Sequence, residues 1–183
     1  CPANQMPILQ RVIHTSADFD YIQNLTFSEN AVEKALDALR NGADIITDTN
    51  MALSGINKKS LHALGGEAHC FMSDPDVAAE AKRRGITRAM VSMEKAARLS
   101  SDNLIFAIGN APTALIQLEQ LIREHQLAPK LIIGVPVGFV NVVEAKELIL
   151  QSGVPCIVAR GNKGGSNIAA AICNALLYQL YRA

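Results

Sequence analysis

His14 lies in the stretch Arg11-Val12-Ile13-His14-Thr15-Ser16, where a short apolar run passes into small polar residues. Imidazole is the side chain that exchanges a proton most readily near neutral pH, so this position has the chemistry of a general acid or base. A lone histidine is more often a packing or surface residue, and the spacing alone leaves both readings open. Arg88 opens a helical pattern after Gly85-Ile86-Thr87. The helix dipole disfavours a cation there, which points to an anionic partner or to an ordinary surface arginine. His62 carries no distinguishing context, His69 beside Cys70 reads as packed in or beside a strand, and His125 reads as a cation capping a helix end. Glu144 and Glu147 flank Lys146 on one helical face and read as solvated carboxylates rather than a catalytic pair.

A second kind of chemistry resides in Arg160-Gly161-Asn162-Lys163-Gly164-Gly165-Ser166. A Gly-rich turn feeding a helix lets the backbone come close to a ligand and offers free N–H groups and the helix dipole to an anion. Lys163 precedes Gly164-Gly165 instead of following a second glycine, so the order is not that of a phosphate-binding GxxxxGK[ST] loop, and it is not GxGxxG either. What remains is a turn for anions in general, carboxylates included, or a plain strand-to-helix turn with solvated cations. Small and polar residues gather likewise in Thr47-Asp48-Thr49-Asn50-Met51, Gly109-Asn110-Ala111-Pro112-Thr113 and Gly134-Val135-Pro136-Val137-Gly138-Phe139.

Each of these stretches follows an apolar run of strand length. Five such runs predict strands over 44–47, 68–72, 104–109, 131–135 and 154–159. They are continuous rather than alternating, as in parallel strands buried on both faces. Helices are predicted between them: Ser28 to Arg40 with Ser28 as N-cap and Gly42 as stop, and Pro75 to Arg84 with Asp74 as cap and Gly85 as stop. Others run about Thr87 to Leu99, Ala111 to His125, Asn141 to Gln151 and Gly165 to Tyr181. The pattern predicts an α/β fold, residues 1–183 as one domain, with an open, mainly parallel five-stranded sheet and helices on both faces. Ligands of such sheets bind beyond the carboxyl ends of the strands, where the small and polar stretches fall.

Seventeen basic residues balance seventeen acidic ones. That excludes the basic excess of a nucleic-acid or membrane-surface binder. The balance is uneven, however: no acid follows Glu147, whereas Arg160, Lys163 and Arg182 do. The core must be aliphatic, because the chain holds three Tyr, five Phe and no Trp. No run approaches a membrane helix and no signal peptide opens the chain, so a cytoplasmic location is expected. Cys1, Cys70, Cys156 and Cys173 show no zinc-ligand spacing, and the last three read as buried thiols.

Four ordered segments resemble one family, the precorrin-8X or cobalt-precorrin-8 methylmutases of cobalamin biosynthesis. They are Arg11-Val12-Ile13-His14-Thr15, Ala107 to Leu115, Gly134 to Val140 and Arg160 to Ser166, with weaker agreement at Asp48-Thr49-Asn50-Met51, Gly55-Ile56 and Thr87-Arg88. The match runs over nearly the whole chain, and its specificity comes from the order of the segments together. The resemblance implies an isomerase that moves a methyl group from carbon 11 to carbon 12 of a tetrapyrrole macrocycle by a 1,5-sigmatropic shift, giving hydrogenobyrinate or cobyrinate. It implies His14 as the general acid. Substrate contacts are expected from Arg11, Thr15, Asp48, Arg88, Asn110, Gly138, Arg160, Lys163, Gly164 and Ser166, with no protein-bound metal and no cofactor.

The resemblance further implies a homodimer acting on a flat apolar ring fringed by carboxylates, a ligand that needs small residues at its face and cations or N–H groups at its rim. Members of the family carry a further N-terminal segment with an Arg-Ser element of the pocket, so that element is expected to be trimmed from or absent in this chain. A competing expectation from another functional class is a tetrapyrrole binder or carrier that does not turn its ligand over.

Overall fold

The computed structural model describes residues 1–182. In chain order the elements are α1 (Met6–Ser16), α2 (Tyr21–Asn24), β1 (Leu25–Phe27), α3 (Ala31–Arg40), β2 (Asp44–Thr47), α4 (Asn50–Gly55), α5 (Lys58–Ala63) and β3 (Ala68–Cys70). They continue with α6 (Pro75–Arg84), α7 (Arg88–Ala97), β4 (Leu104–Ile108), α8 (Pro112–Arg123), β5 (Leu131–Gly134), α9 (Val142–Leu150), β6 (Cys156–Ala159) and α10 (Ser166–Tyr178).

Side chains alternate across a strand, and here both faces are apolar. Ile45, Ile105, Ala107, Leu131, Ile133, Ile157 and Ala159 join one core with α1, α3, α4, α5 and α10. Ile46, Leu104, Phe106, Ile108, Ile132, Cys156 and Val158 join a second core with α7, α8 and α9. Continuous apolar strands thus become the middle layer of three.

The sheet has six strands rather than the five expected, in the order β1-β6-β5-β4-β2-β3. β2 through β6 pair in parallel, and β1 lies antiparallel to β6 with Thr26 opposite Val158. The extra strand is short and only partly buried, so it carries no apolar run to reveal it. Ser28 corrects a second expectation. It does not cap a helix; its Oγ accepts the N–H of Cys156 at 2.8 Å and its own N–H donates to the Cys156 carbonyl at 2.9 Å, extending the β1 edge. α3 begins later, after Asn30 in the left-handed region at φ 57°.

α6 spans the expected residues and stops at Gly85 with φ 67°; Asp74 stands at its N-cap position as expected, but its side chain makes no capping hydrogen bond and accepts Lys95 Nζ at 2.7 Å instead. Cys156 and Cys173 are buried, and burial pushes the Cys173 thiol up to about 12, whereas Cys70 is half-buried. No helix among the described residues is long and apolar enough to cross a membrane.

Chain order reverses direction between β2 and β4: β3 adds on one side of β2, and β4, β5 and β6 follow on the other. That reversal is where open α/β sheets hold ligands.

Candidate active site

Asp48 directly follows β2, at the strand where the order reverses. Its side chain is 1 % exposed, and its two oxygens accept the N–H groups of Gly109 and Asn110 at 2.9 Å and of Ala111 at 2.6 Å. Burial raises the Asp48 carboxyl above its ordinary range, while the three donors pull the other way. Asp48, expected among the substrate contacts, thus has its carboxylate engaged by the turn that opens α8. Asn110 on that turn is exposed.

Beside it the Gly-rich turn approaches two strand ends. A Cβ on Gly109 would stand 2.7 Å from Ser166 Cα, and one on Gly164 would stand 2.1 Å from the Val135 carbonyl oxygen. Only hydrogen fits at either position. The missing side chain of Gly164 thus serves packing against the end of β5. Thr49 Oγ1 and Ser166 Oγ are 2.7 Å apart, joining the end of β2 to the first turn of α10, and Thr49 also caps α4 through the N–H of Ala52.

Three successive carbonyls of the turn are bound inward. Lys146 Nζ donates to those of Gly161 at 2.7 Å and Lys163 at 2.9 Å, and Gly138 N–H donates to that of Asn162 at 3.0 Å. Lys146, from α9, is fully buried, and desolvation pulls its ammonium down to about 8. Sequence reasoning passed over this residue, because nothing in the spacing of α9 distinguishes an inward lysine from a solvated one. The two cations of the turn are not free. Arg160 forms a two-pronged pair with Glu147 at 2.9 Å, and Lys163 Nζ lies 2.7 Å from Asp18 and 2.6 Å from Asp20. These partners hold Asp18 and Glu147 below the ordinary carboxylate range.

Lys163 thereby ties the turn to the end of α1, the helix of His14. The sequence showed α1 only as a short apolar stretch; its buried face is Ile8, Leu9 and Val12, packed on α10. Arg11 and His14 stand on the opposite side with Pro7 and Gln10, one turn apart. They line an open cleft of about 640 Å³ whose far wall is Ala175, Tyr178, Gln179 and Arg182. The guanidinium groups of Arg11 and Arg182 each stack on the Tyr178 ring, 4.8 Å from its centre. Thr15 is exposed on the same helix and is not part of the cleft wall. The cleft brings together an exposed imidazole, an apolar and aromatic wall and two cations.

Arg88 is placed elsewhere. It begins α7 in the layer on the other side of the sheet, exposed beside Gly85 and Ile86. Thr87 caps that helix and lies 3.0 Å from Thr113 at the start of α8, so Arg88 is near the carboxyl edge but not beside His14.

Known proteins share this architecture. The family model for precorrin-8X methylmutase matches residues 1–179. A cobalt-precorrin-8 methylmutase from Salmonella typhimurium is 51 % identical over 176 residues, covering 96 % of this chain and 82 % of that one. A precorrin-8X methylmutase from Pseudomonas aeruginosa is 38 % identical over 177 residues, covering 96 % and 84 %. The crystal structure of a precorrin-8X methylmutase from Thermus thermophilus superposes with a TM-score of 0.91 at 39 % identity, covering 97 % of this chain and 85 % of that one. A match of this extent, in sequence and in fold, places the chain in the precorrin-8X methylmutase family.

Proposed function

We propose that the chain isomerises precorrin-8, metal-free or with cobalt carried in the ring, by moving the methyl group from carbon 11 to carbon 12. The observation that carries this reading is the family match from residue 1 to residue 179. His14, exposed in the α1–α10 cleft, is the general acid. It protonates a ring nitrogen next to the migration site and draws electron density toward the acceptor carbon. A sigmatropic shift needs no nucleophile, so the rest of the site has only to hold the macrocycle in its reacting shape. Arg11 and Arg88, Thr15, Asn110, Gly138, Ser166 and the Arg160–Gly164 turn meet its face and its carboxylate rim. For Arg160 and Lys163 this means exchanging Glu147, Asp18 and Asp20 for carboxylates of the substrate.

The protein works as a homodimer. Support comes from large apolar side chains exposed on loops and at the start of α4 at the carboxyl edge: Phe139 at 86 %, Val140 at 79 %, Met51 at 72 % and Phe19 at 71 %. Light scattering is expected to return about twice the 19.6 kDa chain mass.

Mixing the protein with precorrin-8X, and separately with cobalt-precorrin-8, tests the activity. One of the two visible spectra should move to that of the corrin product. His14→Ala should abolish the change while retaining bound pigment. Normal turnover by His14→Ala would remove the acid from His14, and bound but unconverted pigment in the unaltered protein would make it a carrier.

A further inference from the structure

Lys146 is the one fully buried cation among the described residues, and it has no carboxylate within ion-pair distance. Neighbouring Glu147 is taken by Arg160, and the side chain of Lys163 turns away to Asp18 and Asp20. A desolvated ammonium facing two neutral acceptors is a costly way to fill a core that an apolar residue would fill better. Its geometry nevertheless accomplishes something specific. A peptide group is planar and trans, so its C=O and the following N–H point in opposite directions. Binding the carbonyls of Gly161 and Lys163 to Lys146, and that of Asn162 to Gly138, therefore aims the N–H groups of Asn162, Lys163 and Gly164 away from those anchors. None of the three meets an acceptor among the described residues.

We propose that Lys146 is a positioning residue for substrate binding: its ammonium holds the Gly161 and Lys163 carbonyls inward so that the turn presents N–H groups, and not carbonyl oxygens, to the carboxylates of the macrocycle. The inference rests on the reading above that this turn binds substrate. Lys146 touches neither the substrate nor His14; it acts through the backbone of the turn. Charge strengthens both bonds, and even when drawn down to about 8 the ammonium is mostly protonated at neutral pH. Without it, a peptide flip in the glycine-rich turn would set a carbonyl lone pair against an anionic ligand.

Steady-state kinetics of Lys146→Met and Lys146→Arg with whichever substrate the unaltered protein converts provide the test. Lys146→Met is expected to raise KM by ~10-fold or more with kcat changed by less than ~3-fold, the pattern of lost binding rather than lost chemistry, and Lys146→Arg, which keeps long-stemmed donors, to recover most of it. Trypsin cleavage after Lys163 should also be faster in Lys146→Met, because the turn is released. A cooperatively melting Lys146→Met with unchanged KM overturns the proposal, as does equal KM damage in the arginine variant or a fall confined to kcat. Should Lys146→Met fail to fold, Lys146→Gln is measured in its place; a raised KM supports the proposal and an unchanged one overturns it. If the unaltered protein converts neither substrate, the activity reading fails separately, and an unaltered rate of cleavage after Lys163 then overturns the positioning role.

Discussion

Asp48 Oδ2 accepts the backbone N–H of Ala111 at 2.6 Å, and the same carboxylate holds Gly109 and Asn110, so one buried side chain sets the turn that starts α8. Asp48→Ala would leave three N–H groups without their acceptor. Chemical denaturation should show a loss of about 3 kcal/mol, since each buried unsatisfied donor costs about 1–3 kcal/mol and the turn can relax in part. A loss below about 0.5 kcal/mol would mean that water replaces the carboxylate.

Gly164→Ala tests the contact between the turn and β5. The added methyl would stand 2.1 Å from a main-chain oxygen, and backbone cannot yield as a flexible side chain does. Overpacking of this kind costs about 1–3 kcal/mol. The displaced turn should also bind substrate more weakly, so a rise in KM is expected along with the lower melting temperature. An alanine variant with native stability and KM would show that the turn moves freely.

Lys163→Met cuts the tether between the turn and α1. Asp18 is held below its ordinary pKa of 3.8, first by its hydrogen bond to Lys163. A carboxylate depressed in the folded state contributes stability above its unfolded pKa and loses it as pH falls through the lower, folded value. The difference in melting temperature between the native protein and Lys163→Met should be small at pH 7, because both partners are solvated, and should vanish well below pH 3.8. A difference that grows in acid would contradict the pairing.

Lys146 gives a pH dependence of the same sense, but in the alkaline range. Its ammonium is drawn from 10.5 down to about 8, so between those values the unfolded chain holds a proton that the folded chain has released. Stability from this group therefore rises with pH across that window, by at most about 3 kcal/mol. Denaturation at pH 7.5, 9 and 10.5 should show a component that is missing from Lys146→Met. Parallel curves for the two proteins would refute the shift.

The interior strands were legible because burial on both faces leaves continuous apolar runs, as in Leu104 to Ile108 and Leu131 to Gly134. β1 escaped notice because Leu25-Thr26-Phe27 is three residues long and partly exposed, and α4 and α5, at six residues each, are too short for a helical period to register. Within the site, the turns announced themselves by small residues, whose scarcity of side chain is local information. Their partners did not. Lys163 meets Asp18 from 145 residues away, and Lys146 reaches Gly161 across the gap between α9 and the end of β6. No spacing rule connects such positions; only the stacking of strand ends does. For the same reason the sequence does not show that His14 and Arg88, both expected at the site, stand on helices of opposite layers.

The two strands at the borders of the sheet, β1 and β3, have three residues each, while those between have four or five. A short border offers few unpaired backbone groups to a strand from another molecule, and it is long, flat borders that seed edge-to-edge aggregation. Copies of this protein are therefore denied the most generic route to association, extension of the sheet from one molecule to the next. Contact between copies is thereby left to side chains on helices and loops, where shape rather than main-chain pairing selects the partner.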